Sequence, residues 1–365
     1  MCYNNSVGAL TCLKFNFEEL VAMKIKIFPI ILSVCLLFTS VLLASCDLDK
    51  DSAADGNTTQ DKYSNQINIS VLNGTTGFGI AKLMEDASSG SSAFENAKFS
   101  VESDPSNILS GLINGSIDIA ALPTNAAANV YNKTGGKVKI AAVNTLGVLY
   151  VVVNSENVVL SRIGGIEALR GKTVYCPAQN PAFIMKALCE KSGLKVGEDI
   201  IIDTAYAQPA DLRAAIVSGK VDIAVLPEPM VTIATSANDK LCTSIDLTHE
   251  WNKVFTNDSL MQGCIVVRTD WLEQNALAFE QFMKEYKSSV EYVNTNVDDA
   301  AKLIVKHNIF TNESVAKKAI PNCNIKFVDG DEMAQGLNKF FEALYSVAPA
   351  SIGNNIPAND IYYKK

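Results

Sequence analysis

The chain has 365 residues, more than one hydrophobic core usually serves, and its 48% hydrophobic and 19% charged residues describe an ordinary soluble globular protein. Its formal charge is −8; Lys14, Lys24 and Lys26 stand against Glu18 and Glu19 before Cys46, so the part from Cys46 onward carries −9. A surface this acidic disfavours nucleic acid and anionic membrane as partners, although the charge of a small ligand is set locally.

The elements begin with a leader. Lys24 and Lys26 precede an apolar run from Ile27 to Leu43, followed by Leu43-Ala44-Ser45-Cys46. A positive flank, an apolar stretch and small residues before a cleavage point make a secretory signal. Cysteine directly after Leu-Ala-Ser resembles a bacterial lipobox, which predicts cleavage before Cys46 and acylation of its thiol. The run is short for a membrane span. Residues 1–22 lie outside that pattern, and Met23 reads as the true start, with 1–22 a mis-assigned extension and 23–45 the signal peptide. Residues 47–66 are polar with almost no large apolar residue, which predicts a flexible tether.

The body starts near Ile67 with the alternating strand Ile67–Leu72, a glycine-rich turn Asn73-Gly74-Thr75-Thr76-Gly77-Phe78-Gly79 and a helix through Met84. Strands follow at Val138–Val143 and Leu146–Val153, then a short helix before Leu169, a strand Thr173–Tyr175, a loop Cys176–Pro181 and a helix Ala182–Ser192. Ile200–Ile202 and Cys264–Arg268 read as strands. The later chain is mostly helical by pattern, at Phe279–Val293, Asp298–His307, Glu313–Ala319 and Asp331–Tyr345.

One segment recurs. Asp104–Asn125 aligns without a gap to Gln208–Pro229 at a constant offset of 104, with seven identities (Pro, Gly, Asp, Ile, Ala, Leu, Pro). Each copy reads as a helix opened by proline, a glycine cap, a short buried strand and a second proline. Two copies about a hundred residues apart suggest paired lobes rather than a solenoid, and a cleft between lobes is where small ligands bind. Alternating strands and helices predict an α/β fold with a mostly parallel sheet flanked by helices in each lobe. The chain crossings fall near Leu149 and Gly263, so that 67–148 plus 264–365 form one lobe and 149–263 the other.

The turn Asn73–Gly79, the segments Ile117–Asn125, Asn144–Tyr150, Val221–Pro229, Met261–Arg268 and Ala319–Ile325, and the tail Pro357–Tyr363 together resemble periplasmic substrate-binding proteins of ABC importers of the nitrate/sulfonate/taurine group, which also includes binders of thiamine precursors. The resemblance covers nearly the whole body. It implies a two-lobed type II periplasmic binding protein that closes on a solute and delivers it to a permease and its ATPase.

Candidate ligand contacts follow from the strand ends. Gly74-x-x-x-x-Gly79 has phosphate-loop spacing, but Ile80-Ala81 stands where Lys and Ser/Thr are required, so no nucleotide is expected. Asn73, Gly74, Thr75, Thr76 and Gly77 either present N–H and hydroxyl donors to an oxyanion or form an ordinary hydroxyl-capped turn. Thr124, Asn125 and Glu228 follow the two repeated strands, and Gln179 and Asn180 precede a helix, positions open both to ligand contact and to capping. Glu228 would repel a plain anion and favour an amine or protonated ring, unless it is a rim carboxylate or lies in an interlobe ion pair. Asp118 and Asp222 read as structural caps.

Five cysteines follow Cys46 (Cys176, Cys189, Cys242, Cys264 and Cys323) with no C-x-x-C, and the only histidines are His249 and His307. No metal or cofactor is expected. The cysteines read as small buried residues, with one disulfide left open. The fold also hosts pyrimidine-synthase-like and menaquinone-pathway enzymes, but the former's Cys-rich motif and catalytic His are missing here. The expected function is therefore a lipid-anchored solute-binding protein, not an enzyme, for a small oxyanion-bearing, sulfonate- or taurine-like solute. A binder of a thiamine-precursor pyrimidine and a tethered ligand sensor are the alternatives.

Overall fold

In a computed structural model, the structure describes residues 66–158, 165–255 and 259–364. The extension, the signal peptide, Cys46 and the tether up to residue 65 lie outside the described residues. Two sheets organise the rest. The first holds β1 (Asn68–Leu72), β2 (Lys98–Glu102), β3 (Ile119–Pro123), β4 (Val138–Thr145), β10 (Gly263–Arg268) and β11 (Ile325–Val328), in the order β11-β4-β10-β3-β1-β2. The second holds β5 (Leu149–Asn154), β6 (Thr173–Tyr175), β7 (Ile201–Asp203), β8 (Ile223–Pro227) and β9 (Leu241–Asp246), in the order β7-β6-β8-β5-β9.

Both sheets are mixed. β1 pairs in parallel with β2 and β3, and β6 with β7 and β8. β10 runs against β3 and β4, β11 against β4, and β5 against β8 and β9. β5 and β10 are reversed because each enters its sheet from the other one, after a crossing rather than a helical return, and β11, reached through helices, runs in the same direction as β10.

The repeat accounts for the two sheet centres. Its copies form the helix Pro105–Asn114 with β3, and the helix Pro209–Val217 with β8. Each repeated strand has a parallel neighbour on one side (β1 or β6) and an antiparallel one on the other (β10 or β5). Asp104 caps the first helix by accepting from the Ser106 N–H at 2.8 Å, Pro105 opens it, and Gly115 ends it at φ 83°. The repeated acids are structural: Asp118 Oδ2 accepts from the Asn68 N–H at 2.9 Å, and Asp222 Oδ1 from Asn157 Nδ2 at 2.8 Å.

The crossings are stitched together. Gln262 accepts from the Val148 N–H at 2.8 Å through Oε1 and donates its own N–H to the Thr145 carbonyl at 3.0 Å. The C-terminal helix Gly330–Val347 packs against both β4 and the helix Asn180–Lys191, with Lys186 Nζ donating to the Val347 carbonyl at 3.2 Å. Trp251 is fully buried between Phe255 (ring centroids 4.0 Å) and Phe340 (5.7 Å), and its Nε1 donates to Ser259 Oγ at 2.8 Å. Burying an indole of this size with its N–H satisfied stabilises that junction by several kcal/mol, on the order of 25 cal/mol per Å² of apolar surface. The tail continues through the turn Pro349–Ile352 back to the helix Thr124–Thr134, where Asn132 Nδ2 donates to the Ile352 carbonyl at 2.6 Å. Cys176, Cys189, Cys264 and Cys323 are buried free thiols, Cys242 is a half-buried one, and burial pushes the Cys189 thiol up to about 12. Among the described residues no helix is long and apolar enough to cross a membrane, and no cluster of His, Cys, Asp or Glu could hold a metal ion.

Candidate functional site

β1 and β3 are parallel neighbours, with Val71 opposite Ala121, so the turns after them leave the same sheet edge side by side. The carboxyl edge of parallel strands is where α/β sheets bind ligands. β6 holds the matching place beside β8, which makes the loop Cys176–Asn180 the counterpart of the turn Asn73–Gly77.

The glycine turn is partly consumed by its own fold. It opens a helix of only four residues, Thr75–Phe78, instead of one running through Met84; a second helix, Ala81–Ser88, follows. The Gly74 N–H donates to the Ile309 carbonyl at 3.0 Å, and the Gly77 N–H to the Gly74 carbonyl at 3.0 Å, so neither is available to a ligand. Asn73 is exposed, and its N–H donates to the Glu102 carbonyl at 2.9 Å. The Thr75 and Thr76 side chains are half-buried, and their hydroxyls have no hydrogen-bond partner among the described residues. Asn144 supports the turn from beneath: Nδ2 donates to the Thr76 carbonyl at 2.9 Å and to the Tyr286 hydroxyl at 3.1 Å, while Oδ1 accepts from Thr145 Oγ1 at 3.1 Å.

Thr124 is fully buried, its hydroxyl donates to the Met261 carbonyl at 2.6 Å, and its N–H goes to the Gln262 carbonyl at 3.1 Å. It fastens β3 to the second crossing. Glu228 is 4% exposed, with Oε1 accepting from Thr232 Oγ1 at 3.1 Å and Oε2 from the Thr232 N–H at 3.2 Å. Burial raises its carboxyl above the usual range, against the opposing pull of the Thr232 hydrogen bonds. Glu228 therefore sits at the start of the helix Met230–Ala237 as a local anchor, and no ion pair engages it among the described residues.

Asn125, Gln179 and Asn180 come together. They line a crevice of about 550 Å³ that is bounded by Asp104–Ser106, Pro123, Asn125 and Ala126 from the first sheet's side and Ala178–Pro181 from the second's. Asn125 is 8% exposed, and its Oδ1, the Oδ1 of Asn180 and the Ser351 Oγ are buried without a hydrogen-bond partner. Gln179 holds φ 66° and ψ −127°, backbone that side chains rarely adopt, and it is exposed at the mouth. Ser351 carried no signal in the sequence: it lies in the tail and reaches the crevice only through the return of the chain after the C-terminal helix. A larger open groove of about 810 Å³ runs along the helix Asn180–Lys191, but it takes all its lining from one sheet's half and joins no residues across the fold.

No protein-family profile matches the chain, and no curated protein matches its sequence. Solved structures do match. An ABC transporter protein from Parabacteroides distasonis is 24% identical, with 82% of this chain and 99% of that one covered and a TM-score of 0.67. The periplasmic aliphatic sulphonate binding protein of Escherichia coli is 17% identical over 80% of this chain and 96% of that one, with a TM-score of 0.63. The periplasmic nitrate-binding protein of Synechocystis PCC 6803 is 12% identical over 81% and 86%, with a TM-score of 0.56. With two mixed sheets, two crossings and these matches over nearly the full length of each neighbour, the chain has the type II periplasmic binding protein fold.

Proposed function

We propose that this chain is the extracytoplasmic solute-binding component of an ABC importer, held to the membrane through a lipid on Cys46, and that it passes a small oxyanion-bearing solute of the sulfonate or taurine kind to a permease. The observation that carries the reading is the crevice of about 550 Å³ that joins strand-end residues from both sheets, in a fold shared with sulphonate- and nitrate-binding proteins. Its size suits a small solute. The amides of Asn125, Gln179 and Asn180 are the contacts it offers, the hydroxyls of Thr75 and Thr76 stand outside its lining at the end of the neighbouring strand β1, and the stitched crossings at Val148 and Gln262 are the hinge about which the halves would close.

A thermal-shift screen tests this. A solute at a hundred times its Kd adds about 2.7 kcal/mol to stability. At roughly 2–4 °C per kcal/mol, that is a rise of about 5–10 °C. Sulfonates, taurine, nitrate, amino acids and pyrimidines form the panel, and scattering with the best binder should show a smaller radius of gyration. If no member of the panel moves the melting temperature, the solute-binding reading fails.

A further inference from the structure

Resting on that reading, we propose that the crevice lined by Asn125, Asn180 and Ser351 is the subsite for the solute's oxyanion, in place of the glycine turn Asn73–Gly77. Three helices of ten, eleven and twelve residues (Pro105–Asn114, Thr124–Thr134 and Asn180–Lys191) contribute first-turn residues to its wall: Pro105 and Ser106, Asn125 and Ala126, Asn180 and Pro181. The positive ends of three helix dipoles thus meet at one cavity.

Only the first of these ends is closed by a side chain, Asp104. The other two have none, Pro123 and Gln179 standing at their caps. Helix geometry leaves the N–H groups of Asn125, Ala126, Asn180 and Ala182 without intrahelical acceptors, since the Thr124 N–H goes to Gln262 and the Phe183 N–H to Gln179.

The independent observation is Asn125. The residue is more than nine-tenths buried, its Oδ1 is buried with no partner, and it lines the cavity. A buried polar group left in that state costs free energy that a ligand would recover. The Asn180 amide and the Ser351 hydroxyl repeat the pattern from the second sheet's side and from the tail. Amides and hydroxyls can turn to present donors, so the three side chains and the backbone N–H groups together make a donor shell.

Among the residues lining the crevice there is no Lys or Arg, and Asp104 is the one charged group. Charge balance by dipoles alone suits a monoanion with its charge spread over several oxygens, as in a sulfonate, better than a doubly charged phosphate. Asp104 itself is exposed, bonded to the Ser106 hydroxyl and N–H, and sits at the rim as the one repulsive element.

The test uses methanesulfonate and its uncharged isostere dimethyl sulfone, titrated calorimetrically into the full chain and three variants. Methanesulfonate should bind and dimethyl sulfone should bind at least about tenfold more weakly. Asn125→Asp, isosteric but anionic, should weaken methanesulfonate at least about tenfold. Ser351→Ala, at a half-buried site where folding is not at risk, should weaken it about threefold or more. Asp104→Asn keeps a good helix cap while removing the rim charge, and should tighten binding about two- to fivefold at low salt. Equal binding of the two probes, or methanesulfonate affinity unmoved in Ser351→Ala and Asp104→Asn but lost in Thr75→Ala/Thr76→Ala, overturns the assignment and leaves solute binding standing. No heat from either probe, with no shift across the wider panel, overturns both.

Discussion

Replacing Gly77 with alanine isolates the packing that holds the first turn. A Cβ there would lie 2.2 Å from the Leu72 carbonyl oxygen and 2.9 Å from Ile309 Cγ2. The first neighbour is backbone at the end of β1, so the clash can be relieved only by moving the turn or the strand by about 1 Å. Overpacking at this level costs about 3 kcal/mol. For a body of this size the loss lowers the melting temperature by about 6–12 °C. Gly77 is not in the left-handed region, so the effect is steric; Gly171→Ala, at φ 74° with nothing within 4 Å, supplies the conformational comparison. That control should lose only about 1 kcal/mol. Melting curves of the two variants beside the parent protein decide the matter. Equal losses, or a Gly77→Ala protein within about 1 °C of the parent, would refute the close approach of Gly77 to Leu72.

Three other outcomes are expected. Glu228→Gln should raise stability at pH 7, because burial outweighs the Thr232 hydrogen bonds and lifts the folded carboxyl above its unfolded value of 4.5; the gain should shrink as pH falls toward that value, and urea titrations that show it constant with pH would contradict the cause. Glu85 has the opposite sign: Lys306 Nζ at 2.7 Å and His307 Nε2 at 3.0 Å lower its carboxyl, so its contribution is present above 4.5 and lost as pH falls through the depressed value, and the stability difference between the parent and Glu85→Gln should close in acid. Gln179→Gly should stabilise the protein by about 1 kcal/mol by relieving the backbone at φ 66°, seen as a higher melting temperature; a lower one would mean that the side chain contributes more than its backbone costs.

Much of the fold is legible in the sequence because the duplicated segment carries its own punctuation. Proline at the first helical position, glycine past the end, and a short apolar run before the next proline place both central strands correctly. Signals weaken at the edges. β2 (Lys-Phe-Ser-Val-Glu) alternates but carries only two apolar residues and lies half-exposed at the end of its sheet, β9 (Leu-Cys-Thr-Ser-Ile-Asp) mixes buried and exposed positions, and β11 is four residues long, so none carries a strong apolar signal. The helix Leu247–Val254, capped by Asp246, is equally hard to see: its apolar stripe is only Leu247, Trp251 and Val254, over two turns of otherwise polar sequence. Strand direction is not a local property. β5 and β10 look like any parallel-sheet strand, but they follow crossings and therefore run backwards.

The site divides along the same line. Asn125, Gln179 and Asn180 follow from strand ends, and the fold brings them to one crevice. Thr124 and Glu228 satisfy the same rule, yet their polar atoms are claimed by Met261 and Thr232. For Glu228 the clue was present, since a threonine four residues on can reach back to a carboxylate that precedes a helix; for Thr124 the acceptor is 137 residues away and left no trace. A strand end thus offers a side chain to the cleft, and tertiary hydrogen bonding decides whether it remains free. Thr124 takes the contact with the second crossing, so that one residue of the pair fastens β3 to that crossing while the next, Asn125, keeps an unsatisfied Oδ1 at the crevice. Duplication of the segment supplied the frame twice, but only the first copy, which ends in Thr124-Asn125, reaches the crevice through Asn125; the opposite face comes from Ala178–Pro181, so the two faces are chemically unequal. An asymmetric solute is what such a pair of faces can distinguish.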